Sequence, residues 1–532
     1  MLQRTLFKSV RSVGVSRTFA TVPIPSEKVG PTDVVKDSMQ KLDDKKIQYH
    51  AHVNSGNLES KGKLGKCPVL SSNEYLMVSM FLWDGSCTQA LIALQRSAER
   101  ESNGRTYVRR YPFAIKKAEG IILTDTDGKQ YYDALGCAGT LALGHNHPVT
   151  LDAIRKFIDS GAPLQVLDMA TPEKDEFMTE LASVLPKELS RQHFCGPAGT
   201  DCLEAAVKMC KIATGRRSVL SFHGGYHGHG QGALAMMGNL GAKNPVPGLM
   251  PDVYFLPYPY TFRNPFGVNG PEGEKAVMNY IRSVLRDDES GIPTPACIVV
   301  EAIQGEGGVN GMSRESLKEL RQITKDYNIP LIIDEVQAGF CRSGDFFAFQ
   351  HGDIVPDVLC MSKAVGGSMP MAVMAFREEL DKWGPGAHTG TFRGNQLSFA
   401  CGTASLRFMK ENKLWEDVAR KGEKLMNNLR DIGNGIGRGY VGDVRGRGLI
   451  VGMEMVDPNS EVDVCGIHKE NGPLAAAIQA ECIRRGLILE RGGRGGSVVR
   501  FLPPLIISDQ EIDIISSIYG DAVEAAIKKI HG

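Results

Sequence analysis

Three short apolar runs in the middle of the chain each end in a residue that can do chemistry. Leu331-Ile332-Ile333 leads into Asp334-Glu335-Val336-Gln337, Ile298-Val299-Val300 into Glu301 with Gln304, Gly305 and Glu306 behind it, and Val358-Leu359-Cys360-Met361 into Ser362-Lys363. Apolar runs of this length, separated by helical stretches such as LEAAVKMCKIATG, read as strands of a parallel sheet covered on both faces. In such a sheet ligands gather beyond the carboxyl ends of the strands, so the polar residues there are the candidates. A carboxylate on one strand end and a lysine on its neighbour suit pyridoxal 5′-phosphate (PLP). Its ring nitrogen needs an anionic partner to stay protonated and act as an electron sink, a task for Asp334. Its aldehyde is attacked by an unprotonated amine, a task for Lys363, and burial beside other cations lowers a lysine's pKa toward that state. Each residue alone also fits a plainer role, Asp334 as a helix cap and Lys363 as a solvated loop charge.

Further stretches complete the constellation. Cys195-Gly196-Pro197-Ala198-Gly199-Thr200-Asp201 precedes a helical pattern, and its small residues let a phosphate approach backbone N–H groups at the helix start, although a capping turn would use the same residues. Phe222-His223-Gly224-Gly225-Tyr226-His227-Gly228-His229 offers an aromatic ring that could stack on a pyridine. The three histidines admit a metal reading, but no carboxylate or cysteine completes a ligand set, so no metal is expected. Gly433 to Gly439 has the glycine density of a dinucleotide loop but follows a helix rather than a strand, and reads as a linker. Arg491-Gly492-Gly493-Arg494-Gly495-Gly496 reads as a mobile turn before the strand SVVRF.

The elements that position these residues fall into segments. The first 23 residues carry Arg4, Lys8, Arg11 and Arg17, several serines and no acid, which is the composition of a mitochondrial transit peptide and predicts a location in the mitochondrial matrix. Residues 24–95 form an N-terminal extension. Residues 96–170, with the hairpin GIILTDTDGKQYYDAL turning at Asp127-Gly128, are expected to be the N-terminal part of a small α+β domain. Residues 171–400 are the alternating helix and strand portion, the cofactor-binding large domain, and residues 401–532 complete the small domain. With 532 residues the chain exceeds what one hydrophobic core usually supports. Its 61 basic and 61 acidic side chains cancel, so no field draws it to nucleic acid. No apolar run approaches the ~20 residues that span a bilayer, and no membrane partner is expected. The cysteines are scattered, without a C-x-x-C pair, and read as reduced thiols.

From about Arg105 to the C-terminus the sequence resembles the class III (subgroup II) aminotransferases. The matching stretches are DTDGKQYYDALGCAGTLALGHNHP, CGPAGTDCLEAAVKMCKIATGR, VVEAIQGEGG, LIIDEVQAGFCRSG, CMSKAVGG and HTGTFRGNQLSFA. The resemblance implies an α/β protein of PLP-dependent transferase fold type I, with a mostly parallel, seven-stranded-type large domain and an α+β small domain. It implies Lys363 as Schiff-base lysine and proton shuttle, Asp334 on the ring nitrogen, Gln337 near the ring hydroxyl, Tyr226 stacking with His227 beside it, and Gly199 and Thr200 on the phosphate. Thr391 would join the phosphate from a partner subunit, so that a homodimer, or a higher oligomer built from it, shares its active sites.

Arg500 matches the family arginine that takes the α-carboxylate of the 2-oxo acid. Glu306 matches the acid that pairs with this arginine when the other substrate is bound, and Glu301 lines the same pocket. The partners expected are thus a small amino acid and a 2-oxo acid. Within the family, GPAGTD, SFHGGYHG, RGNQLSFA and AGTLALGHNHP are most similar to members that exchange the ω-amine of L-2,4-diaminobutyrate with 2-oxoglutarate in ping-pong fashion. His229 stands where ornithine and 4-aminobutyrate enzymes usually have an arginine, which disfavours 4-aminobutyrate. Alternatives are another ω-aminotransferase, a PLP-dependent mutase or decarboxylase on the same fold, and a silent binding paralogue. The last would be expected to have lost the lysine.

Overall fold

The computed structural model describes residues 88–104 and 111–531; the expected transit peptide, 1–23, and most of the 24–95 extension lie outside the described residues. Seven strands form the central sheet: β1 (Arg191–Phe194), β2 (Val219–Phe222), β3 (Val253–Leu256), β4 (Cys297–Val300), β5 (Leu331–Asp334), β6 (Val358–Met361) and β7 (Val373–Phe376). Their order across the sheet is β1-β7-β6-β5-β4-β2-β3. All run parallel except β7, which is antiparallel to both neighbours. The three strands read from sequence lie side by side in its centre.

The alternation of side chains along these strands explains why they are apolar throughout. Val299, Ile332 and Cys360 point to one face, where they share a core with Cys202, Leu203 and Ala206 of the helix Gly199–Thr214. Ile298, Val300, Ile333 and Leu359 point to the other, against Ile281 of the helix Gly270–Arg286 and Leu317 and Leu320 of the helix Arg314–Asp326. With both faces covered there is no solvent side to carry polar residues, so polarity begins where the strands end. Ile333 pairs with Val300 on β4 and with Leu359 on β6, which brings Asp334, Glu301 and Lys363 to the same edge.

A second sheet joins distant parts of the chain. Strands Ile115–Glu119, Ile122–Asp125 and Gln130–Asp133 form an antiparallel meander, and Leu487–Ile488 adds in parallel to Gln130–Asp133. The turn at Asp127-Gly128 is closed by the Asp125 carboxylate, which accepts from the backbone N–H of Asp127 and Lys129. Gly128 takes φ +91°, a conformation that suits glycine. A third sheet, Val441–Arg447, Ile450–Met455, Val498–Phe501 and Glu490–Gly492, is antiparallel and carries Arg500 at its centre. The closing helix Asp509–His531 packs over it, with Tyr519 edge-on to Phe501 at 5.1 Å between ring centroids.

Candidate active site

The C-terminal edge of the central sheet gathers two carboxylates and an imidazole. Asp334 ends β5 and is buried; its Oδ2 lies 2.8 Å from His227 Nδ1, and its Oδ1 accepts from the Val336 N–H at 3.0 Å. Glu301 follows β4 and accepts from the backbone N–H of Tyr226 (2.9 Å) and Gly305 (3.0 Å), tying the glycine-rich loop to the strand end. Burial and the nearby Asp334 push the Glu301 carboxyl up to about 7, against the pull of His227 and the two N–H donors. Burial alone would lower the His227 imidazole, but its hydrogen bond to Asp334 and the charges of Asp334 and Glu301 outweigh this and raise it. The cluster therefore favours a proton both on the imidazole and on Glu301, in a buried arrangement where each polar group has a hydrogen-bonding partner.

Lys363 lies just beyond β6, after Ser362, whose hydroxyl donates to the Met371 carbonyl at 2.9 Å. Its φ of +52° is in the left-handed region, uncommon for a residue with a Cβ, and it opens the short turn Lys363–Gly366. Such conformations persist where the surroundings over-determine them, and they cluster at functional sites. Burial lowers the Lys363 amine from its ordinary value, and Arg500 adds to this, while Glu306, Asp334 and Glu301 oppose it. A depressed amine is what attack on an aldehyde requires.

Around this pair the backbone leaves a cradle. Ala198 precedes the helix Gly199–Thr214 and offers no side-chain cap, so the N–H groups of its first turn have no side-chain acceptor there. A Cβ at Gly199 would meet Val336 Cγ1 at 2.9 Å, and one at Gly228 would meet Thr200 Cβ at 2.6 Å; only glycine permits these approaches. Thr200 Oγ1 accepts from the Gly230 N–H at 2.9 Å, joining the two loops. Tyr226 is half-buried, with its ring edge-on to His229 at 5.7 Å. Gln337 Nε2 donates to the Ala138 carbonyl (3.1 Å), and its Oε1 accepts from Arg500 Nη1 (3.3 Å). An uncapped helix start for a phosphate, a buried carboxylate for a ring nitrogen and a depressed amine for an aldehyde are the three partners PLP needs, so the residues present fit it.

Arg500 is fully buried, with Nη2 at 2.5 Å from Glu306 and 2.9 Å from Glu490. The structure thus brings together Lys363, Asp334, Glu301, Glu306, Gln337, His227 and Arg500. Thr391 is exposed, in the segment before the helix Gln396–Glu411. Two charged residues near the site are not legible in the sequence reading. Glu490 escapes because nothing local marks it, although it lies ten residues before Arg500, a spacing at which a hairpin sets two side chains opposite; the register indeed pairs Glu490 with Arg500. Arg494 was expected in a mobile turn, but its Nη1 donates to the Gly307 carbonyl at 3.1 Å and its guanidinium lies over the Tyr260 ring.

The family model described as aminotransferase class-III matches residues 105–523. The diaminobutyrate–2-oxoglutarate aminotransferase of Haemophilus influenzae is 49% identical over 449 residues, covering 83% of this chain and 98% of the relative. The enzyme of that name from Rhizobium meliloti is 48% identical, covering 82% and 93%. Among solved structures, an (S)-enantioselective omega-transaminase from Thermomicrobium roseum superposes with a TM-score of 0.70 at 26% identity, over 80% of this chain and 94% of that one. These relatives overturn the expected mitochondrial location, since both named enzymes come from bacteria, cells without a mitochondrial matrix. A basic, acid-free leader is a composition rather than a fold, and such a composition does not by itself name a compartment. The family match spans every strand end and loop described above, and the chain belongs to the class III aminotransferases, PLP-dependent transaminases of fold type I.

Proposed function

We propose that the chain exchanges the ω-amino group of L-2,4-diaminobutyrate with 2-oxoglutarate, the two half-reactions alternating on one site. Toward diaminobutyrate, glutamate is the donor and aspartate 4-semialdehyde the acceptor. The observation that carries the substrate assignment is the pair of relatives at 48–49% identity, both diaminobutyrate–2-oxoglutarate aminotransferases by name and matched almost end to end. It is supported by a buried arginine with an exchangeable acid beside it, since the two substrates differ in whether the reacting carbon bears a carboxylate.

PLP, when bound, supplies the aldehyde that takes up the amine and the ring that holds the electron pair left on the reacting carbon. Lys363 moves the proton at that carbon through its depressed Nζ. Asp334, braced by His227, would keep the ring nitrogen protonated, and Tyr226 and Gln337 would hold the ring in place. The first turn of the helix Gly199–Thr214, with Thr200, would hold the phosphate. Arg500 accepts the α-carboxylate of glutamate after Glu306 swings away, and pairs with Glu306 when diaminobutyrate is bound. Glu301 fixes the loop carrying Tyr226.

The working unit in this reading is a homodimer in which the partner subunit's Thr391 completes the phosphate site. Phe392, next to Thr391, leaves 70% of its surface open, a surface that a partner subunit would cover. A donor panel of diaminobutyrate, ornithine and 4-aminobutyrate, each with 2-oxoglutarate, tests the substrate. Preference for diaminobutyrate is expected, and a higher kcat/KM with either rival overturns the assignment.

A further inference from the structure

Three arginines, Arg263, Arg445 and Arg494, surround Tyr260 beside the candidate site, and they are not equivalent. Arg263 and Arg445 both bind Glu454, at 2.7 and 2.8 Å, and each reaches a second carboxylate, Asp463 or Asp443. Arg500 has Glu306 and Glu490. Arg494 alone of the four has no carboxylate within ion-pair distance among the described residues; it is half-buried, and it donates a hydrogen bond to the Gly307 carbonyl. Burial lowers its guanidinium from the ordinary value, with Arg445 adding to this against Tyr260, Glu454 and Glu470. A cation kept from water without an anion is a cost that a bound carboxylate removes.

Its position says where that carboxylate would come from. Arg494 lines a cleft of about 840 Å³ together with Tyr226, Gly224, Glu306 and Gly307, and it also borders a smaller cavity of about 240 Å³ under Tyr260. The guanidinium lies across Gly224, where a Cβ would fall 2.5 Å from Nη1, so a glycine at 224 makes room for it. Two other cations line the cleft, and each has more than one hydrogen-bond acceptor. Lys243 donates to the Ala235 and Met237 carbonyls, and Arg491 to Gln479 Oε1.

We propose that Arg494 is the common carboxylate anchor of both half-reactions, holding the carboxylate farthest from the reacting carbon in either substrate. The inference rests on the diaminobutyrate and 2-oxoglutarate reading. In diaminobutyrate the carbon that gives up the ω-amine is three bonds from the carboxylate carbon; in glutamate the carbon that gives up the α-amine is also three bonds from the far carboxylate carbon. One fixed arginine therefore serves both, and only the near end of the substrate has to be told apart. Arg500 and Glu306 do that, open for glutamate and closed on each other for diaminobutyrate.

The test uses the holoenzyme and four amines in separate half-reactions followed by the cofactor spectrum: L-2,4-diaminobutyrate and its decarboxylated form 1,3-diaminopropane, L-glutamate and its truncated form L-2-aminobutyrate. Arg494→Met, which keeps the volume without the charge, should lower kcat/KM about 100-fold for the two amines with a far carboxylate and by less than about threefold for the two without. Equal losses on all four, or an unchanged ratio within each pair, overturn the proposal. If Arg494→Met does not fold, Arg494→Lys serves, with both ratios expected to fall and an unchanged ratio overturning the anchor role. Should the wild type not use diaminobutyrate, the substrate reading falls by itself, and the glutamate and aminobutyrate pair still decides the role of Arg494.

Discussion

Arg500 Nη2 lies 2.5 Å from Glu306 and 2.9 Å from Glu490, and these two acids hold it in different ways. Glu490 is on a strand in register with Arg500 and its side chain is 19% exposed, whereas Glu306 follows β4 on a loop and is 32% exposed. A cation with no exposed surface needs a permanent anion, and the strand residue supplies it. The loop residue is the one that can leave.

Glu306→Gln should therefore separate the two half-reactions. Without its charge Arg500 stays open, which suits a carboxylate on the reacting carbon and opposes an ω-amine. The kcat/KM for diaminobutyrate is expected to fall about 10- to 100-fold, as for loss of one close charge pair, with glutamate changed by only a few fold. Single-turnover kinetics with each amine read this directly, and equal losses would remove Glu306 from the switch.

Asp334→Asn should act through charge rather than shape. The amide keeps the hydrogen bond to Val336 N–H but no longer draws the His227 proton, so the His227 titration should move downward in the imidazole region of a proton NMR spectrum. Turnover should fall by about 10²-fold or more, the usual scale for removing one oriented electrostatic partner. A variant with normal turnover would show that the ring nitrogen finds its anion elsewhere.

Gly199 and Val336 offer a packing test of the phosphate cradle. A Cβ at 199 would lie 2.9 Å from Val336 Cγ1 and 3.0 Å from Cγ2, and a β-branched side chain has few rotamers in which to retreat. Gly199→Ala should cost about 1–3 kcal/mol, as overpacking does, and should weaken PLP retention on dialysis. Val336→Ala in the same chain should restore most of both. Failure of that rescue would place the glycine requirement in the backbone rather than in this contact.

These residues also show how far the sequence reaches. Lys363, Asp334 and Glu301 are legible because a strand buried on both faces is apolar until it ends, so the first polar residue marks the sheet's edge. Gly199 is legible because small residues before a helical pattern mark a turn with room in it. The reversal of β7 is not, since Val373–Phe376 is as apolar as its parallel neighbours and nothing local encodes direction. Arg494 escapes for a similar reason. Glycines on both sides suggest mobility, and the contacts that fix it lie at Gly307 and Gly224, far away in the chain. Local pattern reports burial, whereas an isolated cation in a glycine-rich turn is defined only by what folds against it.

Glu335, next to Asp334 but turned into the core, carries the last prediction. It is fully buried and accepts from the Ala348 and Phe349 N–H groups, and burial pushes its carboxyl up to about 8. Glu301 moves the same way, to about 7, and His227 is also raised. In all three the folded protein holds a proton that the unfolded chain has lost. Their stabilisation is full below the ordinary values and is lost as pH rises through the raised ones. Stability should thus decline from about pH 5 to about pH 8, read as a falling urea midpoint. Glu335→Gln should flatten this slope by up to one proton's worth, about 1.4 kcal/mol per pH unit. A slope identical to that of the wild type would mean that Glu335 titrates at its ordinary value despite its burial.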